Sequence, residues 1–348
     1  MSQKLETCLN GIKALDQQFL KDAQEYLDSL AKPVGSIGRV ESLSCQIAAI
    51  QESLKPSIET STLLVCAGDH GVVEEGVSPF PSEVTIGMIQ NFARSKACVN
   101  QFSLATDTKV SIYDVGAASS TEHIKGVKQV KMRMGTRNFL KEPALTRDEV
   151  VGALEAGIIA AQSEIEAGAD ILAIGEMGIG NSSVAAALTA AFTGIEITRV
   201  VGAGTGLDSE GILHKASVIK KSFDRAGIEE GKVIEGFDEG MRVLSELGGL
   251  EIIMMAGIIL GAATRSVPVI ADGFISGSSV LAAHALAPAS IDYVIFSHRS
   301  VEPGHAAIYS YLNAEPLLSL NMRLGEGTGA VLAVPICKAA ANMMSGMA

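Results

Sequence analysis

Short runs of aliphatic and β-branched residues recur through the middle of the chain, and each run ends in a cluster of small or polar residues before a longer helical pattern. Uninterrupted apolar runs that alternate with helices are typical of buried parallel strands joined by right-handed crossovers. The runs are TLLVC at 62–66, KVSIYDV at 109–115, ILAI at 171–174, TRVVG at 198–202, VPVIA at 267–271 and YVIF at 293–296. We therefore predict an α/β, Rossmann-like fold with a mostly parallel sheet of about six strands and helices on both faces.

The two ends of the chain differ from this middle part. Residues 1–59 are helical and polar, and the residues after 301 contain two further helical stretches, GHAAIYSYLNA and TGAVLAVPICKAAANMMSGM. We expect residues 60–300 to form a large α/β substrate-binding domain, and residues 1–59 with 301–348 to form a small helical domain from both chain ends. The apolar stretch at 252–263 is shorter than the roughly 20 residues that cross a bilayer, so it predicts a buried helix.

Charge and composition narrow the classes of function. The chain has 27 Lys and Arg against 39 Asp and Glu, a formal net charge of −12. Nucleic acids and anionic membranes are recognised through clustered positive charge, so we expect neither as a partner. The five cysteines include no CxxC pair and the six histidines no HxH or HxxxH pair, so their spacing predicts neither disulfides nor a metal site. The polar N-terminus lacks the apolar segment of a signal peptide, and we expect a cytoplasmic protein.

Polar side chains mark the carboxyl ends of the predicted strands. Ligands of open parallel sheets bind beyond these ends, so the same edge is the expected position of a site. The side chains are Asp69, His70, Asp114, Glu176, Asp208, Asp272, Ser297 and His298. Helix N-caps and turns without a ligand are the alternative explanation for some of them.

Two glycine-rich segments, GEMGIGNSS and VGAGTGLD, are candidate phosphate-binding loops. Glycine lets backbone N–H groups crowd an anion, and the start of a helix adds positive potential. Lys215, in the helical pattern after the second segment, is placed to supply a countercharge. The glycine spacing matches neither the dinucleotide fingerprint nor a Walker loop, so tight turns and a solvated lysine stay open as alternatives.

A third glycine-rich segment, LGEGTGA, places Glu326 between two glycines. Glycine flanks leave a carboxylate uncrowded and able to approach a ligand, although an acid in the first turn of a helix is equally compatible with this pattern. Phe80 lies in a loop interrupted by prolines. Only 4% of the residues are aromatic, so a loop aromatic is a candidate wall for a flat ring, with core packing as the commoner alternative.

Several segments taken in order resemble the nicotinate-nucleotide:dimethylbenzimidazole phosphoribosyltransferases of cobalamin lower-ligand assembly. They extend from about residue 32 to the C-terminus and are KPVGSIGR, CAGDHGVVEEGVSPFPSEVT, RMGTRNF, GEMGIGNSS, VGAGTGLD, GGLEIIMMAGIILGAA, DGFISG, EPGH and MRLGEGTGA. The resemblance implies transfer of the phosphoribosyl group of nicotinate mononucleotide to 5,6-dimethylbenzimidazole or a related base. The implied products are nicotinate and α-ribazole 5′-phosphate, and the implied enzyme is a homodimer that uses no cofactor.

The same resemblance implies roles for individual residues. Glu326 corresponds to the general base, and Glu176 to an acid at the ribose end of the site. The remaining implied substrate-binding residues are Gly178, Gly180, Asn181, Gly204, Gly206 and Lys215 for the nucleotide, and Phe80, Ser82, Gln90 and Leu324 around the benzimidazole.

Three other functions compete with this interpretation. A nucleotide-dependent oxidoreductase is disfavoured because the fingerprint glycines and the acidic residue about 20 positions beyond them do not occur in the required pattern. A pyrophosphate-dependent phosphoribosyltransferase would be expected to carry paired acids after an apolar strand, and the sequence has no Asp-Asp pair. A non-catalytic nucleotide-binding module stays open, because fold does not determine function.

Overall fold

The computed structural model describes residues 2–347, which contain one sheet of six parallel strands. The strands are β1 (Ser61–Gly68), β2 (Thr108–Gly116), β3 (Val127–Gln129), β4 (Ile171–Met177), β5 (Val269–Ala271) and β6 (Val294–Phe296). Their order across the sheet is β3-β2-β1-β4-β5-β6, and every neighbouring pair is parallel. The predicted α/β class is confirmed. From β1 the sheet is extended on one side by β2 and β3 and on the other side by β4, β5 and β6. Open sheets of this type bind ligands at such a point, where the strand order reverses.

Helices cover both faces of the sheet. They are α1 (Gln3–Gly11), α2 (Gln17–Ser29), α3 (Arg39–Ile50), α4 (Glu83–Ala93), α5 (Cys98–Ala105), α6 (Arg147–Glu166), α7 (Asn181–Thr193), α8 (Ile197–Val200), α9 (Ser209–Ala226), α10 (Phe237–Leu247), α11 (Leu250–Ala263), α12 (Phe274–Leu286), α13 (Pro303–Leu312) and α14 (Thr328–Gly346), with short 3₁₀ helices at Gly71–Glu75 and Pro288–Tyr293. Within residues 2–347, no helix is both long and apolar enough to cross a membrane.

Successive side chains of the strands point to opposite faces of the sheet, so the interior is divided into two cores. Leu64 and Cys66 of β1 face the core formed with α6, α7 and α11, whereas Leu63 and Val65 face the core formed with α3, α4 and α14. Strands that are buried on both faces have continuous apolar sequences, which is why the apolar runs in the middle of the chain predicted strands. The apolar stretch at 252–263 lies within α11, and every residue of that helix is buried, as predicted.

The prediction of a strand at 198–202 is wrong, because Ile197–Val200 form the short helix α8. Ile197 and Val200 are buried and the two residues between them are exposed. Burial at positions i and i+3 is the spacing of a helical turn, and the β-branched composition of the segment does not override it. Strand β3 was not predicted, since its three residues are half-buried or exposed and leave no apolar run in the sequence.

The helices from the chain ends pack in two places. Cys45 of α3 and Met344 of α14 share a small separate core with α2. In contrast, α1 packs on α6 and α11, and α13 packs on α7 and α12. The division into a large domain at 60–300 and a small domain from 1–59 with 301–348 therefore stays a prediction.

Candidate active site

A cavity opens beyond the carboxyl ends of β4, β5 and β6 and contains about 1210 Å³ of empty space, counting its open mouth. Glu176, Asp272 and His298, which follow or end these strands, line its wall. The other predicted edge residues do not line it. Asp69, His70, Asp114 and Ser297 are buried, and Asp208 is the N-cap of α9, where its side chain accepts the N–H of Gly211 at 2.9 Å.

The loop before α14 presents Glu326 to this cavity in a left-handed backbone conformation. The φ angles of Gly325, Glu326 and Gly327 are +89°, +64° and +92°. Gly175 of β4 allows the loop to lie directly on the strand, because a Cβ atom there would be 2.4 Å from the carbonyl oxygen of Glu326. The glycines in this segment are therefore required by close approach and by positive φ, and not only by chain flexibility.

Two buried carboxylates hold the Glu326 loop in place. Asp272 Oδ1 accepts the N–H groups of Gly329 and Ala330 at 2.7 and 3.0 Å, and its Oδ2 accepts that of Gly327 at 3.1 Å. Asp272 thus caps the first turn of α14 from a distant part of the chain. Glu176 Oε1 accepts the N–H of Glu326 itself at 3.3 Å.

Glu326 is 6% exposed, and its Oε2 has no hydrogen-bond partner among residues 2–347. Burial raises the pKa of this carboxyl group, the N–H of Val99 at the start of α5 lowers it in part, and the charge of Asp272 raises it further. A buried oxygen left unpaired at a cavity wall is typical of a group that a ligand completes. A carboxylate with a raised pKa is also a better proton acceptor near neutral pH.

Glu176 is the second perturbed acid of the cavity. Burial raises its pKa to about 8, the negative charges of Asp272 and Glu251 add to the rise, and the N–H of Glu326 and the Asn181 side chain oppose it. The Asn181 side chain donates a hydrogen bond to Glu176 Oε2. Perturbed carboxyl groups clustered in a cleft are characteristic of catalytic sites.

The residues predicted to bind the nucleotide surround the start of α7. We call residues 178–181, which join β4 to α7, the nucleotide turn. Gly178 and Asn181 line the cavity, whereas Gly180 does not line it and adopts φ +94° at the N-cap of α7. A Cβ at Gly178 would be 2.0 Å from the carbonyl oxygen of Gly68, so only glycine allows the turn to pack on β1.

Lys215 approaches the cavity from behind the nucleotide turn. It is 1% exposed, and its Nζ donates to Ser182 Oγ at 3.1 Å and to the Gly202 carbonyl at 3.3 Å. Burial lowers its pKa to about 8, and the charge of Glu302 opposes that shift. Ser182 and Gly204 line the cavity in front of the lysine, and Gly206 does not.

The predicted base-binding residues are only partly brought together. Phe80 and Leu324, 46% and 56% exposed, line the cavity. With Val84, Met88 and Met177 they form an apolar surface that we call the base wall. Ser82 lies at the N-cap of α4 without lining the cavity. Gln90 faces a separate surface depression that also contains Arg94 and His123.

Sequence reasoning missed several cavity residues, among them Val84, Met88, Thr205, Ser300, Glu302 and Arg323. The i, i+4 spacing of Val84 and Met88 on α4 was an available signal. Glu302 lies in the EPGH segment, and its Oε1 accepts the N–H of Gly204 at 3.0 Å. Within residues 2–347, no group of three His, Cys, Asp or Glu side chains is arranged to hold a metal ion.

Comparisons with known proteins agree on one family. A phosphoribosyltransferase family model matches residues 12–348. The chain is 43% identical over 344 residues to the nicotinate-nucleotide–dimethylbenzimidazole phosphoribosyltransferase of Chloroflexus aurantiacus, with 99% of this chain and 96% of the relative covered. It is 44% identical over 345 residues to that of Desulforamulus reducens, with the same shares covered. The crystal structure of CobT from Thermus thermophilus matches with a TM-score of 0.88 and 40% identity, covering 94% of this chain and 96% of that one.

Proposed function

Because this chain belongs to the nicotinate-nucleotide–dimethylbenzimidazole phosphoribosyltransferase family, we propose that Glu326 is the general base of its phosphoribosyl transfer. The protein transfers the phosphoribosyl group of nicotinate mononucleotide to 5,6-dimethylbenzimidazole, giving nicotinate and α-ribazole 5′-phosphate for cobalamin biosynthesis. The observation that supports the role of Glu326 is its unpaired, buried Oε2 at the wall of the cavity.

The chemistry needs a proton acceptor more than it needs leaving-group activation. The pyridinium nitrogen of nicotinate mononucleotide is already positively charged, so cleavage of the glycosidic bond neutralises the departing ring. The imine nitrogen of the acceptor attacks C1′ on the opposite face, with inversion from a β to an α linkage through an oxocarbenium-like transition state. As positive charge builds on the acceptor ring, its N–H becomes acidic and Glu326 accepts that proton.

The other acids of the cavity suit the positive charge that develops at C1′. In this proposal Glu176 lies beside the ribose, where an ionised carboxylate stabilises an oxocarbenium-like sugar. Its two oxygens are already hydrogen-bonded, to the N–H of Glu326 and to Asn181, so it is held in one orientation. Glu176 thus acts through charge, whereas the unpaired oxygen of Glu326 takes the proton.

We propose that the phosphate binds at the nucleotide turn. The start of α7 contributes backbone N–H groups and positive potential, and Ser182 and Gly204 line the cavity there. Lys215 lies behind them and supplies the countercharge. The base wall, on the α4 side of the cavity, accepts the flat acceptor ring by apolar contact.

A direct assay tests the activity. The purified protein is incubated with nicotinate mononucleotide and 5,6-dimethylbenzimidazole without added metal, and nicotinate and α-ribazole 5′-phosphate are separated by liquid chromatography. We expect both products in equal amounts, and neither when the base is omitted. A mixture left unchanged would contradict the function and favour a non-catalytic nucleotide-binding protein.

We also propose that the protein is cytoplasmic and, as the family resemblance implies, a homodimer. Val34, Ile37, Val301 and Leu320 are exposed apolar side chains that a subunit contact would cover. Sedimentation equilibrium should give twice the mass of the 36.1 kDa chain. The mass of one chain at all concentrations would contradict the proposal.

A further inference from the structure

Thr85 is a fully buried threonine of α4 that lies between the base wall and the nucleotide turn. It is 0% exposed. Its Oγ1 is 2.6 Å from Asp69 Oδ1 at the end of β1 and 3.2 Å from the backbone nitrogen of Ile179 in the nucleotide turn. Val84, next to it, and Met88, one turn later, belong to the base wall, while Ile179 itself lines the cavity.

The direction of both hydrogen bonds is determined by their partners. The N–H of Ile179 can only donate, so the threonine oxygen accepts it and the O–H remains for Asp69. Asp69 is itself fixed, because its Oδ2 accepts the N–H of Ala118 at 2.8 Å beyond the end of β2. The Thr85 hydroxyl group therefore joins α4 directly to the nucleotide turn. It also donates to Asp69, which is held in place at the end of β1.

We propose that Thr85 is a positioning residue for the transfer, whose hydroxyl sets the separation between the bound acceptor base and the bound nucleotide. The inference rests on the proposed function of the cavity. The acceptor nitrogen must lie in line with C1′, and each reactant is held by one of the two surfaces that this hydroxyl joins. A misplacement of about 1 Å between reacting atoms is able to cost about 10²-fold in rate.

The valine variant removes the hydroxyl and keeps the shape. Thr85→Val leaves the oxygen of Asp69 and the N–H of Ile179 without this partner, so the hydrogen bond between α4 and the nucleotide turn is lost. We expect kcat to fall about tenfold or more, because the two bound reactants are misaligned. The Kd of nicotinate mononucleotide alone, measured by calorimetric titration, should change less than about threefold, since the contacts of the nucleotide itself are kept.

Two matched variants separate positioning from general destabilisation. Thr85→Ser keeps the hydroxyl and should restore kcat to within about threefold of the wild type. Thr189→Val, in α7, changes an equally buried threonine whose hydroxyl has no partner among residues 2–347, and it should leave kcat unchanged. Thermal unfolding of all variants gives their stabilities for comparison with the rates.

Several outcomes would overturn the inference. They are wild-type kcat in Thr85→Val, equal losses in the valine and serine variants, or a rate loss that follows the melting temperature in every variant. Should Thr85→Val fail to fold, a tenfold loss in Thr85→Ser would still refute the role of the hydroxyl. Absence of transfer by the wild-type protein would be a different failure, since it removes the proposed function first.

Discussion

Replacing Glu326 with glutamine tests the mechanism at the atom proposed to accept the proton. Glutamine keeps the length and planarity of the side chain but is not basic. The surrounding loop should persist, because Asp272 and Glu176 hold it through backbone N–H groups that the substitution does not touch. Binding of both substrates should therefore change little while turnover falls.

The size of the fall in kcat depends on what a general base contributes and on whether a neighbouring acid is able to replace it. General-base catalysis contributes about 10²- to 10⁴-fold. The neighbouring acids are poor replacements for Glu326 as proton acceptor, because their oxygens are already occupied. Asp272 accepts three backbone N–H groups and Glu176 accepts two hydrogen bonds. We therefore expect kcat to fall about 10³-fold, equivalent to roughly 4 kcal/mol of transition-state stabilisation. The kcat of Glu326→Ala should be lower than that of the wild type by about 10²-fold or more, because this variant also lacks the proton acceptor.

The assay follows nicotinate release at saturating substrates across a range of pH. Burial raises the pKa of Glu326, so the wild-type kcat should rise with pH through that raised value as the carboxylate ionises, and Glu326→Gln should lack this limb. Glu315→Gln, an exposed acid earlier in the same loop, is the matched control and should behave as the wild type. A kcat for Glu326→Gln within about threefold of the wild type, with the pH limb retained, would remove Glu326 from the mechanism.

Three further changes test other parts of the site and its support. Lys215→Met should weaken binding of nicotinate mononucleotide about 10- to 100-fold, because it removes a charged hydrogen-bond donor that lies behind Ser182 at the proposed phosphate site. Calorimetry with the phosphate-free nucleoside should show little change, and equal weakening of both would contradict a phosphate role. Burial raises the pKa of Glu176 to about 8, so a rate that depends on its charge should still rise between pH 7 and 9, and Glu176→Gln should abolish this rise. Burial by itself lowers the pKa of His70, but the ion pair with Glu251 at 2.9 Å raises it above 6.5 overall. The stabilisation from this ion pair is therefore complete below pH 6.5 and is lost as the pH rises through the raised pKa of His70. The melting temperatures of the wild type and of His70→Gln should converge as the pH rises from 6.5 through that pKa. A difference in melting temperature that stays constant with pH would contradict the pairing.

The fold was predictable where burial leaves a pattern in the sequence. Strands β1, β2 and β4 are buried over most of their length and appear as continuous apolar runs. Helix α8 was mistaken for a strand because four residues are too few for composition to reveal a period, and its packing decides the outcome. Edge strand β3 has little buried surface, so nothing in its sequence distinguishes it from a loop.

Residues of the candidate site could be picked out from the sequence only where they lie in local motifs. Glu326 and Glu176 stand out because glycines surround them, and the structure shows that those glycines permit close packing. The capping of α14 by Asp272 joins residues 272 and 327–330, a contact that no local pattern contains. Gln90 illustrates a different limit, since two helical positions beyond Met88 rotate a side chain by about 200°, away from the cavity face of α4.

The backbone conformation and the unpaired oxygen of Glu326 both lower the stability of the folded protein, so other contacts must hold this residue in place. A left-handed φ at a residue with a side chain costs of order 1–3 kcal/mol, and an unpaired buried carboxylate oxygen costs about as much again. The three N–H groups that Asp272 accepts offset these terms by stabilising the first turn of α14, which directly follows Glu326 and Gly327. In the proposed mechanism the base is thus oriented before the substrates arrive, so that little reorganisation of the protein is needed when the proton is transferred.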